Sequence, residues 1–193
     1  MAPVISSDRG HTPSRSGFLL PSMVKEFDSN SLPLAYLITF RCYGTWVHGD
    51  RRGSTDRQGH NVFGTPRIPP NQKLERADVA SLTYPPAILD PAQRDAVEKA
   101  IREVCKHRDF RLDAVSARSN HVHAVVAAAC KPEVIMNAFK SYATRRLRAC
   151  GLVSPDAKLW ARHGSTRYLW KTQNVEEAIG YVLYGQGDGP PNF

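Results

Sequence analysis

The spacing of apolar positions along the chain changes period several times, and each change marks an element. Leu34-Ala35-Tyr36-Leu37-Ile38-Thr39-Phe40-Arg41 is a β-prone run that predicts a first strand, buried on at least one face. Ala92, Ala96, Val97, Ala100, Ile101, Val104 and Cys105 then recur at helical spacing. Asp90-Pro91 ahead of them reads as an N-cap followed by proline at the first helical position, so a helix runs to about His107. Phe110–Ala117 predicts a second strand, and a short turn through Asn120 leads into a third. Lys131-Pro132-Glu133 starts a second helix, with Ile135, Ala138, Phe139, Tyr142 and Leu147 pointing inward and Gly151 as its stop. Arg167-Tyr168-Leu169-Trp170-Lys171 predicts a fourth strand. Asn174 caps a last helix, with Glu177 three residues on as in a capping box and Val175, Ala178, Ile179 and Val182 on its apolar side. Gly185-Gln186-Gly187-Asp188-Gly189-Pro190-Pro191 ends that helix.

The predicted order is β-α-β-β-α-β-α. It implies an α+β, ferredoxin-like (RRM-like) antiparallel sheet with two helices on one face, plus a C-terminal helix. Residues 1–30 are rich in Ser, Pro, Arg and Gly without periodicity and read as a flexible leader to a single domain at 31–193. The connection Tyr43–Pro86, an insertion at about 43–88, is dense in Gly, Pro, Asp and Arg; connections of this length are functional or partly disordered. It opens with Gly44-Thr45-Trp46-Val47-His48-Gly49-Asp50-Arg51-Arg52-Gly53. Two readings fit: Trp46 stacks on bases while the arginines approach phosphates, or Trp46 anchors a turn in the core.

Composition narrows the class. The chain has 193 residues, 41% hydrophobic and 23% charged, as in one ordinary globular domain. No apolar run approaches a membrane span, and Gly17-Phe18-Leu19-Leu20 is too short for a secretory core. Lysine and arginine total 26 against 18 acids, a net charge of +8 that favours a polyanionic partner. Cys42, Cys105, Cys130 and Cys150 are scattered without a CxxC pair, which fits a reduced cytoplasmic protein, here expected to be nucleoid-associated.

The candidate chemistry centres on Ser119–Val126. In a strand, His121, His123 and Val125 share one face and Val122, Ala124 and Val126 the other. The two imidazoles stand about 7 Å apart along the strand, a separation suited to one cation, although two surface histidines would show the same spacing. If the alternate set faces the helices, the histidines project from the open face. HExxH, HxE with PCxxC, GxSxG and P-loop patterns are absent. What remains is a two-histidine divalent-metal site in a basic chain, suited to polarising a phosphodiester. The last helix offers Tyr181, Tyr184, Glu177 and Gln186 as partners. Tyr181 lies roughly 120° from the apolar centre and Tyr184 nearly opposite it. Lys140, Arg145, Arg146 and Arg148 share one side of the second helix, as a solvated face or a phosphate-binding stripe.

Asn-His-Val-His-Ala-Val-Val at 120–126 resembles the histidine-hydrophobic-histidine (HUH) motif of the small single-tyrosine transposases that act on single-stranded DNA. Leu37–Trp46, Phe139–Leu147, Leu169-Trp170-Lys171 and Glu176–Val182 resemble further segments of that family, in order, from about 34 to 187. The branch associated with repetitive extragenic palindromes (REP) is the most similar. The resemblance implies that His121 and His123 bind Mg²⁺ or Mn²⁺ on the scissile phosphate. Tyr181 then attacks, leaving a 5′-phosphotyrosine and a free 3′-hydroxyl. It implies single-stranded or hairpin DNA as partner, contacted by Arg41, Trp46, Arg51, Arg52, Lys140, Arg145, Arg146 and Arg148, and a monomer or homodimer. The family often takes a third metal ligand from a glutamine four residues after the tyrosine. Here that position is Gly185, with Gln186 next to it. On a continued helix Gln186 would point about 140° from Tyr181. Either the helix breaks at Gly185 and Gln186 returns to the site, or Glu177 or solvent completes it. The alternatives are a domesticated protein that binds DNA or RNA hairpins without cutting, and a hydrolase of small phosphodiesters.

Overall fold

The computed structural model describes residues 32–54 and 66–185; the expected leader and Gln186 lie outside them. The elements run β1 (Ala35–Cys42), α1 (Gln72–Ala80), α2 (Pro91–His107), β2 (Arg111–Ala117), β3 (His121–Ala127), α3 (Pro132–Ala149), β4 (Trp160–Leu169) and α4 (Thr172–Tyr184). Among the described residues the strands form one sheet in the order β2-β3-β1-β4, every neighbouring pair antiparallel. Without α1 and α4 this is the ferredoxin-like arrangement expected from the sequence.

Strand alternation sorts the core into two layers. Tyr36, Ile38, Phe40 and Cys42 of β1, with Val122, Ala124 and Val126 of β3, pack against Val97, Ile101 and Val104 of α2 and Ile135, Phe139 and Leu147 of α3. The reciprocal capping box at Asp90 and Gln93 starts α2, with Pro91 in its first turn as predicted. On the other face, Ala35, Leu37, Ala114, Val125 and Leu169 lie under Ala178 and Val182 of α4. The face expected to be open is therefore partly roofed. Leu37, Val125 and Leu169 are too apolar to face water, and the apolar side of α4 is the partner that covers them.

Three local expectations give way. The insertion contains a helix, α1, which has no buried residue and so no apolar stripe to read. Asn71 caps it, accepting from the N–H groups of Lys73 and Leu74. Gly49, at φ +83°, lets the preceding loop lie against it, because a Cβ there would run into the Asn71 carbonyl and the Glu75 amide. The fourth strand begins at Trp160 rather than Arg167; its first residues join through backbone pairing with β1 and lack alternation. Finally, α4 starts at Thr172, so Asn174 sits inside the helix and the expected capping box does not form. Glu177 instead accepts a hydrogen bond from Gln173. Among the described residues, no helix is long and apolar enough to cross a membrane.

Candidate active site

The β1–β3 ladder sets Thr39 opposite His123 and Arg41 opposite His121, on the face that carries α4. Thr39 Oγ1 lies 2.8 Å from His123 Nδ1, and Asn120 Oδ1 lies 2.6 Å from His121 Nδ1. Because the Asn120 oxygen accepts, His121 carries its proton on Nδ1 and keeps the Nε2 lone pair for a ligand. Hydrogen bonding of one ring nitrogen by an outer partner is how metal-binding histidines are commonly oriented. The two rings meet edge to face at 4.5 Å between centroids.

Tyr181 completes the row. Its ring centroid is 5.2 Å from that of His123, again edge to face. It arrives there because Ala178 and Val182, on the same side of α4, are buried on the sheet. Tyr184 is 79% exposed and points away. Glu177 is exposed and accepts a hydrogen bond from Gln173. The chain leaves the helix at Gly185, whose backbone turns extended while its N–H donates to the Tyr181 carbonyl at 2.9 Å. A Cβ at 185 would press to 2.7 Å from Cδ2 of the Tyr181 ring. The helix ends at Gly185, and Gln186 lies outside the described residues. Among the described residues, no group of three or more His, Cys, Asp or Glu could hold a metal ion. Two neutral, oriented imidazoles nevertheless fit part of a divalent-ion donor set.

Burial, then the positive charges of Arg41, Arg118 and Arg52, push His121 down to about 4. Burial, with His121, Arg118 and Arg41, pushes His123 down to about 3. Both rings are therefore neutral near pH 7, as metal ligation requires. Unfolded histidines take up protons below about 6.5 while these two stay neutral, so folding stability is lost as pH falls from there toward the folded values. Between pH 6.5 and 5, above most carboxylate titrations, Tm should fall in the wild type and fall less in a His121→Gln/His123→Gln double variant. Equal slopes in a thermal-melt series would contradict these low values. Burial also raises Tyr181, with Arg118 opposing the rise.

Thr39, Asn120 and Arg118 are site residues that pattern reading missed. Alternation in β1 puts Thr39 on the face of Leu37 and Arg41, but only the ladder shows which histidine it meets. Half-buried Arg118 closes the β2–β3 turn, its N–H donating to the His121 carbonyl at 2.8 Å.

The expected nucleic-acid residues divide. Arg41 and Arg52 lie over the Trp46 ring, with Arg41 opposite His121 in the ladder, and Arg51 is exposed. Trp46 is half-buried outside the main core, its indole N–H bound to the Gly53 carbonyl. The α3 residues lie on the opposite side of the sheet from the histidines. There Lys140 is buried, donating to the carbonyls of Ala161, Arg162 and His163, so it ties α3 to β4 rather than facing solvent. Arg145 stacks on Tyr142, Arg146 pairs with Glu103, and Arg148 is exposed.

Fold and pairing put the chain in the ferredoxin-like α+β class. Within that class it belongs to the IS200-like transposase family, whose profile matches residues 79–177, just over half of the 193. The match takes in both histidines and stops short of Tyr181. No curated protein matches the chain. Similar solved structures include a REP-associated tyrosine transposase bound to a REP hairpin, at 14% identity and a TM-score of 0.42. That comparison covers 77% of this chain and 63% of the other, so the chain spans less than two thirds of that relative's length. A protein of Deinococcus radiodurans R1, provisionally described as a transposase, is 12% identical with a TM-score of 0.43, covering 83% of this chain and 97% of that one.

Proposed function

We propose that the protein is a metal-dependent endonuclease and strand transferase of single-stranded or hairpin DNA, with Tyr181 as nucleophile. The observation that carries this reading is the contact of the Tyr181 ring with His123, in a row that continues to His121. The Tyr181 oxygen attacks a phosphodiester phosphorus, and the P–O3′ bond breaks. The 3′ oxygen leaves with a proton as a free hydroxyl, and the 5′ phosphate stays on the tyrosine. Attack by a 3′-hydroxyl reverses the step, so the bond energy is conserved and no nucleotide cofactor is needed. His121 and His123, held through Asn120 and Thr39, would carry a Mg²⁺ or Mn²⁺ ion; when bound, it neutralises charge on the phosphate oxygens. Raised by burial, the Tyr181 phenol keeps its proton at neutral pH, and the positive field of Arg118 favours losing it during attack.

The test is incubation of labelled single-stranded and hairpin oligonucleotides with Mn²⁺, followed by denaturing electrophoresis. A protein-sized labelled band supports the reading. Tight binding without that band makes the protein a hairpin binder, and turnover of small phosphodiesters without oligonucleotide binding makes it a hydrolase.

A further inference from the structure

The segment that follows β1 is built around one indole. Trp46 Nε1 donates to the Gly53 carbonyl at 2.7 Å, and Ser54 and Ile68 close the loop through a two-way backbone bridge of 3.1 and 2.8 Å. Three guanidiniums converge on that ring, with Cζ of Arg41 at 3.2 Å, Arg52 at 4.4 Å and Arg67 at 5.4 Å from its centroid. Each is fixed from elsewhere in the chain. Arg41 comes from β1, Arg52 from the loop, and Arg67 reaches in with Nη1 on the Arg52 carbonyl at 3.1 Å. Arg52 is gripped by Asp50 through Nε and Nη2, at 2.7 and 2.6 Å, and also donates to the Thr45 carbonyl.

Asp50 is only 7% exposed, and its contact with Arg52 holds its carboxyl down at about 2. Asp50 grips one of the three guanidiniums and the charge of Glu75 also acts on Arg52, so among the described residues two carboxylates meet three guanidiniums and positive charge stays in surplus at a partly desolvated spot. Burial and the charges of Arg52 and Arg67 lower Arg41 to about 10. The π face of Trp46 offsets part of the repulsion. An anion would relieve the rest, and phosphate matches guanidinium geometry. Trp46 gathers the three guanidiniums on its ring and so serves as a scaffold for their charge.

We propose that Arg41, Arg52 and Arg67, assembled on Trp46 and braced by Asp50, bind a backbone phosphate of single-stranded DNA next to the one held at the histidines. The adjacency comes from the ladder, in which Arg41 is the cross-strand partner of His121. The choice of DNA as ligand rests on the function proposed above; the phosphate site itself rests on the cluster. The three arginines then hold the substrate strand without reading its sequence.

The test uses the full chain carrying Tyr181→Phe, so that binding is read without cutting, with fluorescent single-stranded oligonucleotides of several sequences. Arg67 is exposed, so Arg67→Ala leaves the fold in place. It should weaken every oligonucleotide alike and reduce the slope of log affinity against log salt by about 0.7, the loss of one phosphate contact on a single strand. Arg67→Lys should restore much of the slope. An unchanged slope overturns the proposal, as does a loss confined to some sequences, which would mean base reading. A wild-type adduct together with an inert Arg67→Ala removes only the phosphate site. A salt-slope change without any adduct from the wild type removes only the cutting.

Discussion

Replacing Tyr181 by phenylalanine should abolish the covalent protein–DNA adduct while oligonucleotide affinity stays close to wild type. The change removes one hydroxyl and leaves the ring, so the contacts with His123 and with the α4 layer on Leu37 and Val125 survive. Stability should change by no more than about 1 kcal/mol, the net worth of an ordinary hydrogen bond. Adduct formation should fall by at least ~10³-fold, as expected when a nucleophile is removed. Tyr184→Phe is the control. Its side chain is 79% exposed, and the adduct should form as before. If the Tyr181 variant still becomes labelled and the Tyr184 variant does not, the roles are reversed and α4 must present its other face to DNA.

The second large effect is expected at the histidines. His121→Ala and His123→Ala should each lower adduct yield by more than ~100-fold at fixed Mn²⁺, beyond the range for losing an outer-shell partner alone. The two variants should also differ. His123 lies between His121 and Tyr181 and bonds Thr39, so its loss leaves a gap beside the tyrosine ring and should lower Tm. His121→Ala keeps the contact between His123 and Tyr181 and should change mainly the metal requirement. Metal titrations of adduct yield separate these effects. Wild-type Mn²⁺ dependence in both variants would exclude the pair as ligands.

How much of this was legible beforehand depends on the range of the interaction concerned. Helix α2 could be read to its ends because its cap, proline and apolar stripe are all local. The histidine pair was legible because two-residue alternation is a property of any strand. Helix α1 was not, since it buries nothing, and the start of β4 was not, since pairing with β1 rather than side-chain pattern makes it a strand. Lys140 read as part of a solvated stripe, yet three carbonyls from residues 161–163 enclose it. No periodicity within α3 could show that.

The sequence alone determined the order of every element but α1, the shared face of His121 and His123, and the positive charge of the chain, because these follow from period and composition. Tertiary structure decided which face α4 covers, and therefore that Tyr181 rather than Tyr184 meets the histidines. It also decided that Arg67 reaches the ring of Trp46 and that Thr39 meets His123. Alternation and helical spacing assign a residue to a face of its own element. Which faces meet depends on burying apolar area and pairing backbone between elements far apart in the chain.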